Sequence, residues 1–154
     1  MELIIHPTIK TKHPASYNEI IQIKDINIYI ENEESRESEI FDYIIEISNE
    51  DQVYNELSYS TKDVLKLQFN DIRTTNILDV KDKVGEFINN CCGKLLIHCG
   101  EGVSRSPSIL IMYLIINCDY SYIDAYNIIS SKRYIKPNVG FIKQLKHLEG
   151  KPEV

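Results

Sequence analysis

A chain of 154 residues has the length of one domain and is long enough to bury a sizeable core. Its residues are 43% hydrophobic and 26% charged, the balance of a folded globular chain, which excludes disordered, collagen-like and coiled-coil readings. The net charge of −6 gives the long-range field the wrong sign for broad binding of nucleic acid or anionic lipid, and leaves room only for a local basic pocket.

In chain order, Ile20 to Ile30 alternates apolar and polar residues with a break at Lys24-Asp25, a period of two that predicts strand. Glu31 to Glu39 is polar and reads as a loop or short helix. Phe41–Ile47 and Val64–Phe69 read as a second and a third strand. Asn76 is placed to cap an amphipathic helix whose apolar face is Ile77, Val80, Val84, Phe87 and Ile88, with Gly93 as its stop. Lys94–His98 is a short apolar strand, and residues 99–104 are small and polar. Pro107 suits a first helical turn, and Ile109–Ile116, apolar on every side, predicts a buried helix. Ser121–Lys132 and Val139–Leu148 read as two more helices. Strands first and helices last, around one strand–loop–helix unit, predict a single α/β domain over 1–154. Its central, mostly parallel sheet should have about four or five strands flanked by helices. Residues 1–16 take no assigned role.

The four cysteines, Cys91, Cys92, Cys99 and Cys118, form no C-x-x-C pair and have no His pair near them, so a structural zinc is not expected. The start of the chain lacks the pattern of a secretory signal, which argues against a disulfide framework. The longest apolar run is too short to span a bilayer, and neither end carries a lipidation motif. The expectation is a soluble intracellular protein, cytoplasmic or nuclear, with reduced thiols, no membrane association and no nucleic-acid partner.

The segment Leu95-Leu96-Ile97-His98-Cys99-Gly100-Glu101-Gly102-Val103-Ser104-Arg105-Ser106-Pro107 carries the chemistry. A strand ending in Cys, a short loop with two glycines and an Arg at a helix start make a cradle for a tetrahedral anion. The glycines let backbone N–H groups turn inward, and the helix N-terminus adds partial positive charge. Arg105 can close the cradle with a bidentate fork. The groups that hold a phosphate also stabilise a thiolate, the nucleophilic form of Cys99. A Walker-type nucleotide site needs G-x4-G-K-[ST], which is absent.

H-C-x5-R-S resembles the signature of the cysteine-dependent protein tyrosine phosphatases, and the continuation Gly-Val-Ser-Arg-Ser resembles their dual-specificity branch. Arg133-Tyr134-Ile135-Lys136-Pro137-Asn138-Val139-Gly140-Phe141, followed by Gln144-Leu145, is similar to that branch's R-x-x-[IV]-x-P-N-x-G-F-x-x-Q-L. Asn70-Asp71 with Asn76 resembles its general-acid loop, so the resemblance runs from about Ile20 to Glu149.

The resemblance implies a phosphatase-like α/β fold and a metal-independent protein phosphatase without cofactor. It implies Cys99 as nucleophile, Asp71 as acid and then base, and Arg105 as the phosphate clamp. Gly100, Glu101, Gly102, Val103, Ser104 and Arg105 would supply the phosphate-binding loop, with Glu101 turned to solvent. Ser106 would donate to the leaving thiolate, His98 would orient the loop and tune Cys99, and Asn138 would brace the loop from behind. Asp63, Asp79 and Asp82 compete with Asp71; His98 also reads as a core histidine and Asn138 as a helix cap. Arg133 reads either as a site for a second phosphate or as a surface charge, Lys136 as an ordinary surface charge. Cys91 and Cys92 read as inert, with an oxidative link to Cys99 as the alternative.

The implied partner is a phosphorylated protein carrying phosphotyrosine or phosphoserine/threonine; monomer and homodimer both stay open. Phosphoinositides, inositol polyphosphates or 5′-RNA triphosphates are competing substrates for the same chemistry. A non-catalytic phosphate-binding module is the competing class.

Overall fold

The computed structural model describes residues 17–31, 41–51, 61–100 and 102–149. The polar stretch predicted as loop or short helix after Glu31 lies almost wholly outside them, as does the N-terminal segment. The Ile-rich alternation folds as a hairpin, β1 (Tyr17–Ile23) and β2 (Ile26–Glu31). The break at Lys24-Asp25 is its two-residue reversal, with Lys24 in the left-handed region at φ 53°. The next strands are β3 (Tyr43–Ser48), β4 (Asp63–Gln68) and β5 (Gly93–His98). The sheet order is β1-β2-β5-β3-β4, antiparallel only in the hairpin.

That order decides where a site forms. β5 lies between β2 and β3, so its carboxyl end opens into the crevice where a parallel sheet reverses its winding direction. One sheet face, carrying Ile28, Ile30, Ile45, Ile47, Leu95 and Ile97, forms the main core. Helix α2 (Arg105–Cys118) belongs to that core, and every residue from Ser106 to Ile115 is buried. An apolar helix survives there because α1 (Lys81–Asn89), α3 (Tyr122–Ser130) and α4 (Val139–Leu148) all pack on it. Only the final Ile116 of the expected buried stripe emerges, at 38% exposure. The opposite sheet face carries a smaller cluster of Phe41, Ile44 and Leu96.

The caps agree with the residue types. Asn76 accepts from Leu78 N, Ser121 from Asp124 N and Asn138 from Phe141 N. Asn76 opens a 3-10 turn, Ile77–Val80, that runs into α1. Gly93 is not the helix stop the sequence suggested. The helix ends at Asn89, and Gly93 opens β5, its missing side chain leaving room for the Asp42 carboxylate that accepts from Lys94 N at 2.8 Å. Among the described residues no helix is long and apolar enough to cross a membrane.

Candidate functional site

The chain leaves β5 at Cys99, loops through residues 100–104 and enters α2 at Arg105. Glu101 lies outside the described residues. Gly102 has φ 69°, and a Cβ built there would stand 2.7 Å from Arg133 Nη2 and 3.1 Å from the Glu31 carbonyl. The turn therefore needs glycine twice over, for its left-handed backbone and for its close approach to the end of β2. Asp71, Cys99, Gly100, Val103, Ser104, Arg105 and Lys136 line a cleft of about 320 Å³ over this loop. Cys99 sits at 2% exposure, with the first turn of α2 beginning six residues later.

Arg105 is aimed by two neutral acceptors. Its Nη1 donates to Asn49 Oδ1 at 2.8 Å and to the Phe69 carbonyl at 3.4 Å, from just beyond the carboxyl ends of β3 and β4. Neither acceptor cancels the charge of the guanidinium, which stays available to an anion. Asp71 follows β4, and its Oδ1 accepts from both Ser104 Oγ and Asn138 Nδ2 at 2.8 Å. With both donors on one oxygen, Oδ2 takes no hydrogen bond among the described residues. The segment that carries Asp71 is tied down at both ends. Asn70 Oδ1 accepts from Glu50 N at 3.0 Å, and Gln144 Nε2 donates to the Thr75 carbonyl at 2.8 Å. The Asn-Asp pair and the downstream Gln motif, far apart in sequence, thus meet at one loop.

Asn138 does more than cap α4. Its N–H donates to Ser104 Oγ at 3.1 Å while its side chain reaches Asp71, so it couples the 99–105 loop to the segment that carries Asp71. Ser106 is fully buried, and its hydroxyl meets no hydrogen-bond partner among the described residues. His98 is buried at 3% on the sheet face opposite the main core. Of the competing acids, Asp63 begins β4 at its far end, Asp79 lies in the 3-10 turn and Asp82 in α1; none lines the cleft.

One reading changes. Arg133 is neither a surface charge nor a site for a second phosphate. It is 3% exposed and donates from Nη1 to the Ile30 carbonyl at 2.8 Å and to Asn18 Oδ1 at 3.0 Å, behind Gly102. Burial lowers its pKa to about 10, partly offset by Cys99 and Glu31, so it stays charged at neutral pH. Lys136 is exposed, as a surface charge should be, and it also lines the cleft, where its backbone N–H donates to the Val103 carbonyl at 2.8 Å.

Sequence reasoning missed Asn49. Its only signal was a polar residue just past a buried strand, and the relevance of that strand end appears once β3 is seen beside β5. The burial of Glu31 and Glu46 was not foreseen either, although a charge inside Ile44-Ile45-Glu46-Ile47 is visible in the sequence. The remaining thiols lie away from the cleft. Cys91 and Cys92 precede β5, and Cys118 ends α2, each about 20 Å from Cys99 by strand or helix length. Burial pushes the Cys91 thiol up to about 12, with Asp63 adding to the effect. The suggested link from Cys91 or Cys92 to Cys99 needs Cα atoms within about 7 Å and is incompatible with this placement. No cluster of His, Cys, Asp or Glu among the described residues is arranged to hold a metal ion.

Residues 22–151 match the family model described as the catalytic domain of dual specificity phosphatases. Dual specificity protein phosphatase MPK-4 of Drosophila melanogaster is 34% identical over 84 residues, 52% of this chain and 22% of that protein. Serine/threonine/tyrosine-interacting protein A of Xenopus laevis is 36% identical over 89 residues, 55% of this chain and 40% of that protein. Among solved structures, the human tyrosine phosphatase-like serine/threonine/tyrosine-interacting protein aligns with a TM-score of 0.72 at 24% identity, over 85% of this chain and 93% of that one, a likeness of fold. The matched stretches span 16% to 40% of the curated relatives' own length. The family model runs from the first hairpin past the end of α4 and takes in the 99–105 loop, Asp71 and the downstream motif; on that ground the chain belongs to the dual specificity phosphatase family.

Proposed function

We propose that the protein is a metal-independent phosphatase of intracellular phosphoproteins, cleaving phosphotyrosine and phosphoserine or phosphothreonine through a phosphocysteine at Cys99. The observation that carries this reading is the convergence of Cys99, Arg105 and Asp71 on one cleft. The substrate phosphoryl group seats on the loop N–H groups and the Arg105 fork, with Lys136 adding charge at the wall. The Cys99 thiolate attacks phosphorus; an S–P bond forms as the P–O bond to the side chain breaks. Asp71 gives its proton to the departing oxygen, a step commonly worth about 10²–10⁴-fold. Water then attacks the phosphocysteine, Asp71 takes its proton, phosphate leaves, and Ser106 donates to the returning thiolate.

Both donors on Asp71 bind Oδ1. That arrangement favours Oδ2 as the atom that carries the proton in transit. Among the described residues none that lines the cleft is aromatic, which suits long and short phosphorylated side chains alike.

The test compares wild type, Cys99→Ser and Asp71→Asn on phosphotyrosine and phosphothreonine peptides, with EDTA and reductant. The reading expects both peptides to be cleaved, Cys99→Ser to be inactive and Asp71→Asn to lose two to four orders of magnitude, about the usual worth of a general acid. Wild type that cleaves p-nitrophenyl phosphate but neither peptide overturns the protein-substrate assignment. Activity surviving in Cys99→Ser overturns the mechanism.

A further inference from the structure

The chain around Asp71 leaves the core at Phe69, 7% exposed, and re-enters it at Ile77, 1% exposed. No residue from 70 to 76 is buried, and Ile72, the apolar side chain among them, is 51% exposed. Core packing therefore does not set the place of the Asp71 carboxylate. Hydrogen bonds do.

Gln144, on the second turn of α4, supplies two of them. Its Oε1 accepts from Ile77 N at 2.8 Å, and its Nε2 donates to the Thr75 carbonyl at 2.8 Å. One amide thus grips the backbone on either side of Asn76, with its acceptor and a donor both used. Thr75 passes the restraint on. Its Oγ1 donates to the Asn70 carbonyl at 2.9 Å and its N–H to the Ile72 carbonyl at 3.1 Å, which closes the chain on both sides of Asp71. The same helix holds the carboxylate itself, because Asn138 Nδ2 donates to Asp71 Oδ1 at 2.8 Å. From Asn138 to Gln144 is about 9 Å along the helix axis. Between them, Gly140 lies so close to the Arg73 backbone that a Cβ there would collide with it. α4 is thus a rigid edge against which the segment is set at three points.

We propose that Gln144 is a positioning residue for the proposed acid: acting through Thr75, it fixes the 70–76 segment so that Asp71 stays within proton-transfer reach of the departing oxygen. This role rests on the phosphatase reading, with Asp71 as acid. It goes beyond that reading by placing part of the acid's function on a side chain that does not line the cleft. A displacement of about 1 Å caused far from the reacting atoms can cost about 10²-fold in rate. A purely structural role would lower stability and would harm all substrates alike.

The experiment measures kcat/KM, which ends at the phosphocysteine, over aryl phosphates from p-nitrophenyl to phenyl phosphate. Wild type, Gln144→Met, Asp71→Asn and the double variant are compared. Methionine keeps the length of glutamine and removes both hydrogen bonds. A positioned acid matters more as the leaving oxygen becomes more basic. Gln144→Met should therefore lose about 10²-fold on phenyl phosphate and about tenfold or less on p-nitrophenyl phosphate, so that the series steepens. In the Asp71→Asn background it should cost almost nothing further. Thr75→Val, which exchanges the hydroxyl for a methyl of the same shape, should steepen the series in the same direction. Thr75→Ser, which keeps the hydroxyl, should restore it; this pair carries the test if Gln144→Met does not fold. An equal loss across the series, an undiminished penalty in the Asp71→Asn background, or a Thr75→Val series parallel to wild type overturns the proposal. An Asp71→Asn series parallel to wild type overturns Asp71 as the acid, and this role with it. A steepened Asp71→Asn series beside a parallel Gln144→Met series overturns this role alone.

Discussion

Replacing Ser104 with alanine isolates the contact that aims Asp71, the proposed acid. The Ser104 hydroxyl donates to Asp71 Oδ1 at 2.8 Å and accepts from Asn138 N at 3.1 Å, while the Ser104 backbone N–H stays in the phosphate loop. Among the described residues the substitution leaves Asn138 Nδ2 as the sole donor on Asp71. A hydrogen bond to a charged group contributes about 1.5–3 kcal/mol. If all of it is expressed in the transition state, at 1.36 kcal/mol per tenfold, kcat falls about 10- to 150-fold. The loss should be greatest on phosphoserine peptides, whose alkoxide leaves poorly, and smaller on p-nitrophenyl phosphate, which needs less help from an acid. A double-mutant cycle settles the route: in an Asp71→Asn background the penalty of Ser104→Ala should nearly vanish. An equal penalty in both backgrounds, or a change in KM alone, would refute the argument that Ser104 acts through Asp71.

Asn49→Ala should free the Arg105 guanidinium and weaken inhibition by vanadate about tenfold, the scale of one charge-assisted hydrogen bond. Asn49→Asp should weaken it further, because a carboxylate there competes with the phosphate, and inhibition constants for the two variants compare them directly. Gly140→Ala places a methyl against the Arg73 backbone, where overpacking costs about 1–3 kcal/mol and outweighs the helix propensity gained. Thermal unfolding should show a lower Tm, and kcat should fall because the displaced segment carries Asp71. Mass mapping after iodoacetamide at pH 8 should find Cys91 unmodified in the folded protein, since burial and Asp63 hold its thiol at about 12, and labelled once it is unfolded.

The strand–loop–helix unit was legible because its information is local: an apolar strand, glycines, an Arg at fixed spacing and a proline that starts a helix. The caps at Asn76, Ser121 and Asn138 were legible, or consistent, for the same reason. What escaped depends on strand order. Asn49 reaches Arg105 across 56 residues of chain, only because β3 ends beside β5. Arg133 was conspicuous by motif, yet its burial depends on the end of β2, more than a hundred residues earlier. Gly93 misled because a glycine past a helix and a glycine opening a strand look alike until Asp42 is seen against it.

The same strand–loop–helix unit has a consequence for oxidation. β5 arrives at the loop and α2 departs from it, so both carry their cysteines away from the Cys99 sulfur, Cys91 and Cys92 at the beginning of the path and Cys118 at its end. A sulfenic acid formed on Cys99 therefore has no resolving thiol within its own fold. Its repair becomes a bimolecular event, set by the concentration of small thiols or reductases around the protein. After a peroxide pulse, recovery should scale with added glutathione and be unchanged when Cys91, Cys92 and Cys118 are replaced by serine.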